Sequence, residues 1–201
     1  MPPIPPITRA LMLICTAIFC AEFLLHSVIP LQLWFALWPI DSGRFLPWQP
    51  ISYAFLHHDI LHLFFNMLGL WMFGSELELL WGQRRYLQFL VAGVLSAAAC
   101  QLLVTYLSGS FGPTIGASGG LYALLLASAM LFPNRVIMPL FPPIPMKQRT
   151  FVFIFGGLEL LQGLTGATGV AHFAHLGGML GGWLMIRYWR GQPPFPAKRR
   201  R

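Results

Sequence analysis

Three short runs in this chain carry the residue types that nucleophilic catalysis needs. They are Gly116-Ala-Ser118-Gly119-Gly120, His62-Leu-Phe-Phe-Asn66, and Ala171-His172-Phe-Ala-His175-Leu-Gly177-Gly178. A serine hydroxyl attacks poorly until a nearby base takes its proton, and histidine titrates in the right range to do so. His62 and Asn66 are four apart, which puts them on one face of a helix. If Ser118 opens a helix, the unpaired backbone N–H groups beside it can hold an oxyanion, helped by the helix dipole. Gly116 and Gly119 let the backbone bend tightly beside the serine.

Each run also has a plainer reading. A serine between glycines often does no more than pack helices, and a histidine within a membrane serves structure about as often as function. The literal G-x-S-x-G match at Gly116 to Gly120 signifies a nucleophile elbow only between a strand and a helix, and no strand pattern surrounds it. His58 and His62, four apart, and His172 and His175, three apart, have spacings that suit zinc. However, H-E-x-x-H is absent, and no cysteine or carboxylate on another span completes an obvious ligand set. No metal or other cofactor is therefore expected, and the placement of the runs has to decide.

Composition sets that placement. Of 201 residues, 56% are hydrophobic and 9% charged, against about 25% charged in soluble domains. With a mean hydropathy of +0.65, this excludes a disordered chain and an ordinary soluble domain, and points to a one-domain membrane protein. The net charge of +7 forms no basic face interleaved with aromatics, so nucleic acid is not an expected partner. Cys15, Cys20 and Cys100 lie in apolar runs and read as packing residues.

A spanning helix needs about 20 apolar residues. Six stretches qualify: about 10–29, 56–73, 86–107, a short 118–132, 151–168 and 170–189. The first lacks a small-residue cleavage site and reads as a span rather than a signal peptide. Residues 31–50 hold Trp34, Trp38 and Trp48 with Pro39, Pro47 and Pro50, too broken for a span and suited to an interfacial loop. The expected fold is thus an all-α polytopic bundle of six transmembrane helices with a membrane-associated first outer loop. It divides into a tail at 1–9, a six-span domain at 10–190 and a basic tail at 191–201.

With six spans, 12 of the 13 Lys and Arg residues fall on one side, leaving only Arg44 on the other. The positive-inside rule then places both termini in the cytoplasm. Depth follows from about 1.5 Å of rise per residue. Ser118 lies roughly 21 Å from Phe132, His175 roughly 18 Å from Arg187, and His62 roughly 21 Å from Glu76. All three sit at one level, roughly 10 Å below the outer surface of a core about 30 Å thick.

Together these residues resemble the rhomboid family of intramembrane serine proteases over about Trp48 to Gly182. The resemblance rests on motif order: H-x-x-x-N in the second span, G-x-S-G opening the fourth, and A-H-x-x-G in the sixth. It implies Ser118 as nucleophile and His175 as general base, in a dyad without a required acid. It implies an oxyanion hole from His62, Asn66 and the Ser118 N–H, with Gly116 and Gly119 shaping the turn. Tyr122 would pack on the histidine ring, and Glu78 would tie helices together at the inner end of the second span.

His172 does not fit A-H-x-x-G; it is expected to face solvent at the outer mouth or to support the loop before the sixth span. Asp59 belongs by sequence to the oxyanion-side histidines rather than serving as a triad acid. The family usually has Trp-Arg in its first outer loop, whereas Trp48 is followed here by Gln49, which puts that loop's stability in question. Glu22 and Glu159 are assigned to interhelical hydrogen bonding, Glu159 alternatively near a gate.

The resemblance further implies cleavage of transmembrane protein substrates near their outer boundary, in a bacterial cytoplasmic (inner) membrane, with the active site opening outward. Substrates would arrive laterally near the second and fifth spans, beneath a mobile cap at Gly166-Ala-Thr-Gly169. The basic tail would meet anionic lipid headgroups or anchor topology. A rhomboid-like client-binding protein without activity, or a small transporter, are the alternatives. The first typically lacks the serine or histidine, and the second would show inverted repeats or paired broken helices.

Overall fold

Lipid offers a backbone no hydrogen-bond partners, so long apolar runs become helices. The computed structural model describes residues 3–25, 28–140, 143–165 and 171–196. Among the described residues, six helices of 14 residues or more follow the apolar stretches. They are α1 Pro6–Leu25, α2 Ile60–Trp81, α3 Gln83–Ser108, α4 Ser118–Leu131, α5 Gln148–Thr165 and α6 His172–Arg190. By length and composition α1, α2 and α3 can each cross a membrane, and the chain is a multi-pass helical membrane protein. A two-stranded antiparallel ribbon, β1 Val136–Ile137 with β2 Met146–Lys147, links α4 to α5.

Several boundaries differ by a few residues from those read in the sequence, and two are instructive. Residues 6–9, taken as tail, already belong to α1. The second stretch, read as 56–73, becomes a helix only at Ile60, where the Asp59 carboxylate accepts the His62 N–H at 2.8 Å as an N-cap. That hydrogen bond also holds the exposed Asp59 carboxyl below its usual range. The helix then runs on to Trp81 through Glu76 and Glu78, where falling hydropathy hides its continuation. Between Leu70 and Gly74 it makes one wider, π-helical turn.

Small residues let α6 sit deep between α3 and α4. A Cβ on Gly181 would lie 2.5 Å from the Ser96 Cβ, and one on Gly182 3.1 Å from the Ala123 Cβ. A Cβ on Gly178 would collide with the backbone of Gly119 itself. Ser96 Oγ adds a hydrogen bond to the Gly177 carbonyl at 2.7 Å. These contacts replace the hydrophobic drive that lipid cannot supply between helices. Gly119 is closely packed in its own right, since a Cβ there would lie 2.6 Å from the Ala97 Cβ.

At the far end, the start of α1 is anchored on one carboxylate. Glu78, 2% exposed, accepts the Ile7 N–H at 2.9 Å through Oε1. Its Oε2 accepts the Thr8 N–H at 2.7 Å and the Thr8 hydroxyl at 2.8 Å. A carboxylate on the unpaired N–H groups of a helix start is favoured by both hydrogen bonding and the dipole. Buried Leu77, Tyr86, Phe89, Leu124 and Ile186 surround this end, with Trp81 and Trp189 edge-to-face at 5.1 Å.

The segment between α1 and α2 contains two short helices, Leu31–Phe35 and Gln49–Ser52. Its hub is Gln49, which is fully buried. Gln49 Oε1 accepts the Trp38 N–H at 3.2 Å, and Nε2 donates to the carbonyls of Arg44 at 3.0 Å and Trp34 at 3.4 Å. The amide thus does what the doubt over the missing arginine left open: it binds loop carbonyls and, unlike a guanidinium, accepts as well. Trp48 is half exposed and donates its indole N–H to Trp34 O at 2.9 Å.

Candidate active site

The loop before α4 is clamped before it reaches the serine. Leu37 and Thr114 exchange two backbone hydrogen bonds, both 2.9 Å, and Gly116 N–H donates to Tyr53 O at 2.9 Å. Tyr53 is anchored by its own hydroxyl on Val94 O at 3.0 Å. Gly116 has φ +125°, which a side chain rarely tolerates. A Cβ there would also lie 2.8 Å from Cε1 and Nε2 of His62. So Gly116 serves twice, turning the chain and admitting the His62 ring. Two residues later α4 begins at Ser118, and its first intrahelical bond runs from Leu121 N–H to Ala117 O.

His62 receives the His58 N–H on Nδ1 at 3.3 Å, which leaves the proton on Nε2, the nitrogen at Gly116. Asn66, nearly fully buried, donates to the His62 carbonyl at 2.7 Å, and its Oδ1 is buried without a hydrogen-bond partner among the described residues. The second N–H of that amide is available to a further acceptor. His57, not singled out in the sequence, is also buried and meets His62 edge-on at 5.2 Å. Its signal was only that it precedes the helix start among three histidines.

From α6, His175 brings Nε2 to 2.7 Å from Ser118 Oγ. Gly178 and Gly119, three and one residues further along their helices, bring α6 and α4 into close approach beside this contact. Tyr122, one turn beyond the serine, stacks on the His175 ring at 4.3 Å and 6°. The equal depths read from the sequence are thus a side-chain contact between α4 and α6.

Behind His175 stands a carboxylate that the sequence assigns to interhelical hydrogen bonding or to a gate. Glu159 of α5 puts Oε2 2.6 Å from His172 Nδ1 and 2.9 Å from His175 Nδ1, while Oε1 accepts the Tyr122 hydroxyl. All of Glu159, His172 and His175 are over nine-tenths buried. Two expectations are corrected. His172 faces the carboxylate rather than solvent, because an imidazole donor is the cheapest way to satisfy a buried charge. A carboxylate from another helix does reach the histidines, so a three-donor set exists after all, with its ligand atoms within 4.8 Å of one another. Ligands on a tetrahedral zinc are about 3.3 Å apart at ordinary bond lengths. The 2.6 Å contact is instead that of a charge-assisted hydrogen bond.

Glu22 differs from Glu159: its Oε2 is buried with no hydrogen-bond partner among the described residues. The cap at Gly166 to Gly169 and the basic tail at Lys198 to Arg201 lie outside the described residues.

Known proteins carry the same pattern. Residues 44–191 match the family model described as the Rhomboid domain. A protein named Rhomboid protease GlpG from Yersinia pestis (strain Pestoides F) is 28% identical over 188 residues, covering 92% of this chain and 62% of that relative. The protein of the same name from Klebsiella pneumoniae subsp. pneumoniae is 37% identical over 122 residues, or 60% of this chain and 41% of that relative. The chain thus spans less than two thirds of the length of these relatives. With the family model covering most of its length and the serine, the histidines and the asparagine in their expected order, the chain belongs to the rhomboid family.

Proposed function

We propose that this chain is an intramembrane serine endopeptidase that cleaves transmembrane segments of other proteins near their outer boundary. What supports this most is the 2.7 Å contact between Ser118 Oγ and His175 Nε2, the separation at which a hydroxyl proton passes to a base. His175 takes the proton as Ser118 attacks the scissile carbonyl. The oxyanion is met by the N–H groups opening α4, with His62 Nε2–H and the Asn66 amide beside them. The amine leaves with the proton from His175, and water resolves the acyl-enzyme by the same route.

A helical substrate must unwind to offer a carbonyl, so helix-weakening residues near its outer boundary are favoured. Among the described residues α5 leans on α4 and α6 rather than on α2, which suits lateral access between α2 and α5. The positive-inside distribution supports six crossings of a bacterial inner membrane, both termini in the cytoplasm and the Ser118 end outward. Arg135, paired with Glu76 at 2.6 Å, then lies on the cytoplasmic side.

The test is cleavage of a single-span model substrate by the full chain in liposomes. Wild type is expected to cut near the outer boundary, and Ser118→Ala and His175→Ala to lose at least about a thousandfold in rate. Cleavage that survives Ser118→Ala overturns the mechanism.

A further inference from the structure

We propose that Glu159 is a positioning residue for the Ser118–His175 pair: its carboxylate fixes the proton of His175 on Nδ1 and holds the imidazolium that forms during attack. This rests on the serine-protease reading above, and it adds a third group to what the family resemblance implies is a dyad without a required acid.

The argument begins with the two nitrogens of one ring. Nε2 can accept the Ser118 proton only if it is bare, which requires the resting proton on Nδ1. Nδ1 is buried, and Glu159 Oε2 lies 2.9 Å away. The contact is off the line of the N–H, so it is not an aligned hydrogen bond. Attraction between charges has no such angular demand, and it grows once the ring gains its second proton. The proton balance is simple: the Ser118 proton moves to Nε2, the Nδ1 proton stays, and the carboxylate remains ionised throughout.

A carboxylate placed only to tie helices together would not need this company. Glu159 is approached from α4 by the Tyr122 hydroxyl and from α6 by both His172 and His175. Tyr122 also stacks on His175, so a single phenol fixes the ring plane on one side and the carboxylate on the other. His172 at 2.6 Å pins the Oε2 that faces Nδ1. The carboxylate is thereby held from three directions with one oxygen on the ring that must turn over protons.

The experiment measures the rate at which a fluorophosphonate labels Ser118, and kcat and KM on the model substrate, for wild type, Glu159→Gln and Glu159→Asp. Glutamine keeps the shape and removes the charge, while aspartate does the reverse. Glu159→Gln is expected to lower the labelling rate and kcat by roughly a hundredfold with KM unchanged, and Glu159→Asp to recover part of that loss. A Glu159→Gln protein with wild-type rates overturns the proposal while leaving the dyad intact. Wild type that neither cleaves nor labels at Ser118 overturns the parent reading instead. Should Glu159→Gln not fold, Glu159→Asp decides through its labelling rate. The shortened carboxylate reaches Nδ1 less closely and is expected to label several-fold more slowly, and a wild-type rate overturns the proposal.

Discussion

Two buried carboxylates, Glu78 on α2 and Glu159 on α5, mark the two ends of this bundle, and they are satisfied by opposite kinds of partner. Glu78 meets backbone N–H groups and a hydroxyl of α1, donors that keep their protons at any ordinary pH. Glu159 meets two imidazoles and a phenol, and one of those imidazoles touches a serine. Burial alone therefore says little about role. A charge surrounded by fixed donors locks helices together, and one facing a ring that exchanges protons can serve chemistry.

The sharpest way to break this contrast is at Gly178. Gly178→Ala drives a methyl group into the Gly119 backbone, which cannot move without carrying Ser118 away from His175. Labelling of Ser118 is expected to fall by about a hundredfold or more, together with a lower unfolding temperature in detergent. Wild-type labelling would mean that the α4–α6 approach does not set the pair. Next comes Glu78→Ala, which strands the Ile7 and Thr8 N–H groups and should cost about 3 kcal/mol of stability. The folded fraction should still label within about twofold of wild type. A loss of labelling in protein that remains folded would erase the distinction between the two carboxylates.

The smallest effect is expected at Gln49, which serves the Ser118 end from a distance. Gln49→Ala removes three loop hydrogen bonds, each worth about 1 kcal/mol net. Limited proteolysis of residues 31–55 should speed up before activity changes. Activity lost first would show that the Leu37–Thr114 clamp transmits loop disorder to the serine directly.

The sequence made the Ser118 end legible because depth is linear in residue number along a helix. The same count placed His62 and His175 at the depth of Ser118. It would also have placed Glu159, ten residues or about 15 Å from Arg149, but a lone glutamate in an apolar stretch carries no motif to prompt the count. Helix starts were less legible: Asp59 sets the beginning of α2 through one side-chain hydrogen bond, which hydropathy does not register. The role of Gln49 is illegible for the same reason. Its role depends on which carbonyls surround it, and that is a property of the folded loop.

The wider turn at Leu70–Gly74 has a consequence for the ancestry of α2. A π turn is an α-helix that has gained one residue, and each residue carries about 100° of azimuth. The wider turn absorbs that residue, so the segments carrying His62–Asn66 and Glu78 keep the phase of an even helix one residue shorter. Wound as an even α-helix, the same residues would turn one of the two segments toward lipid. The two ends of α2 are thus kept in phase by backbone geometry rather than by any one side chain.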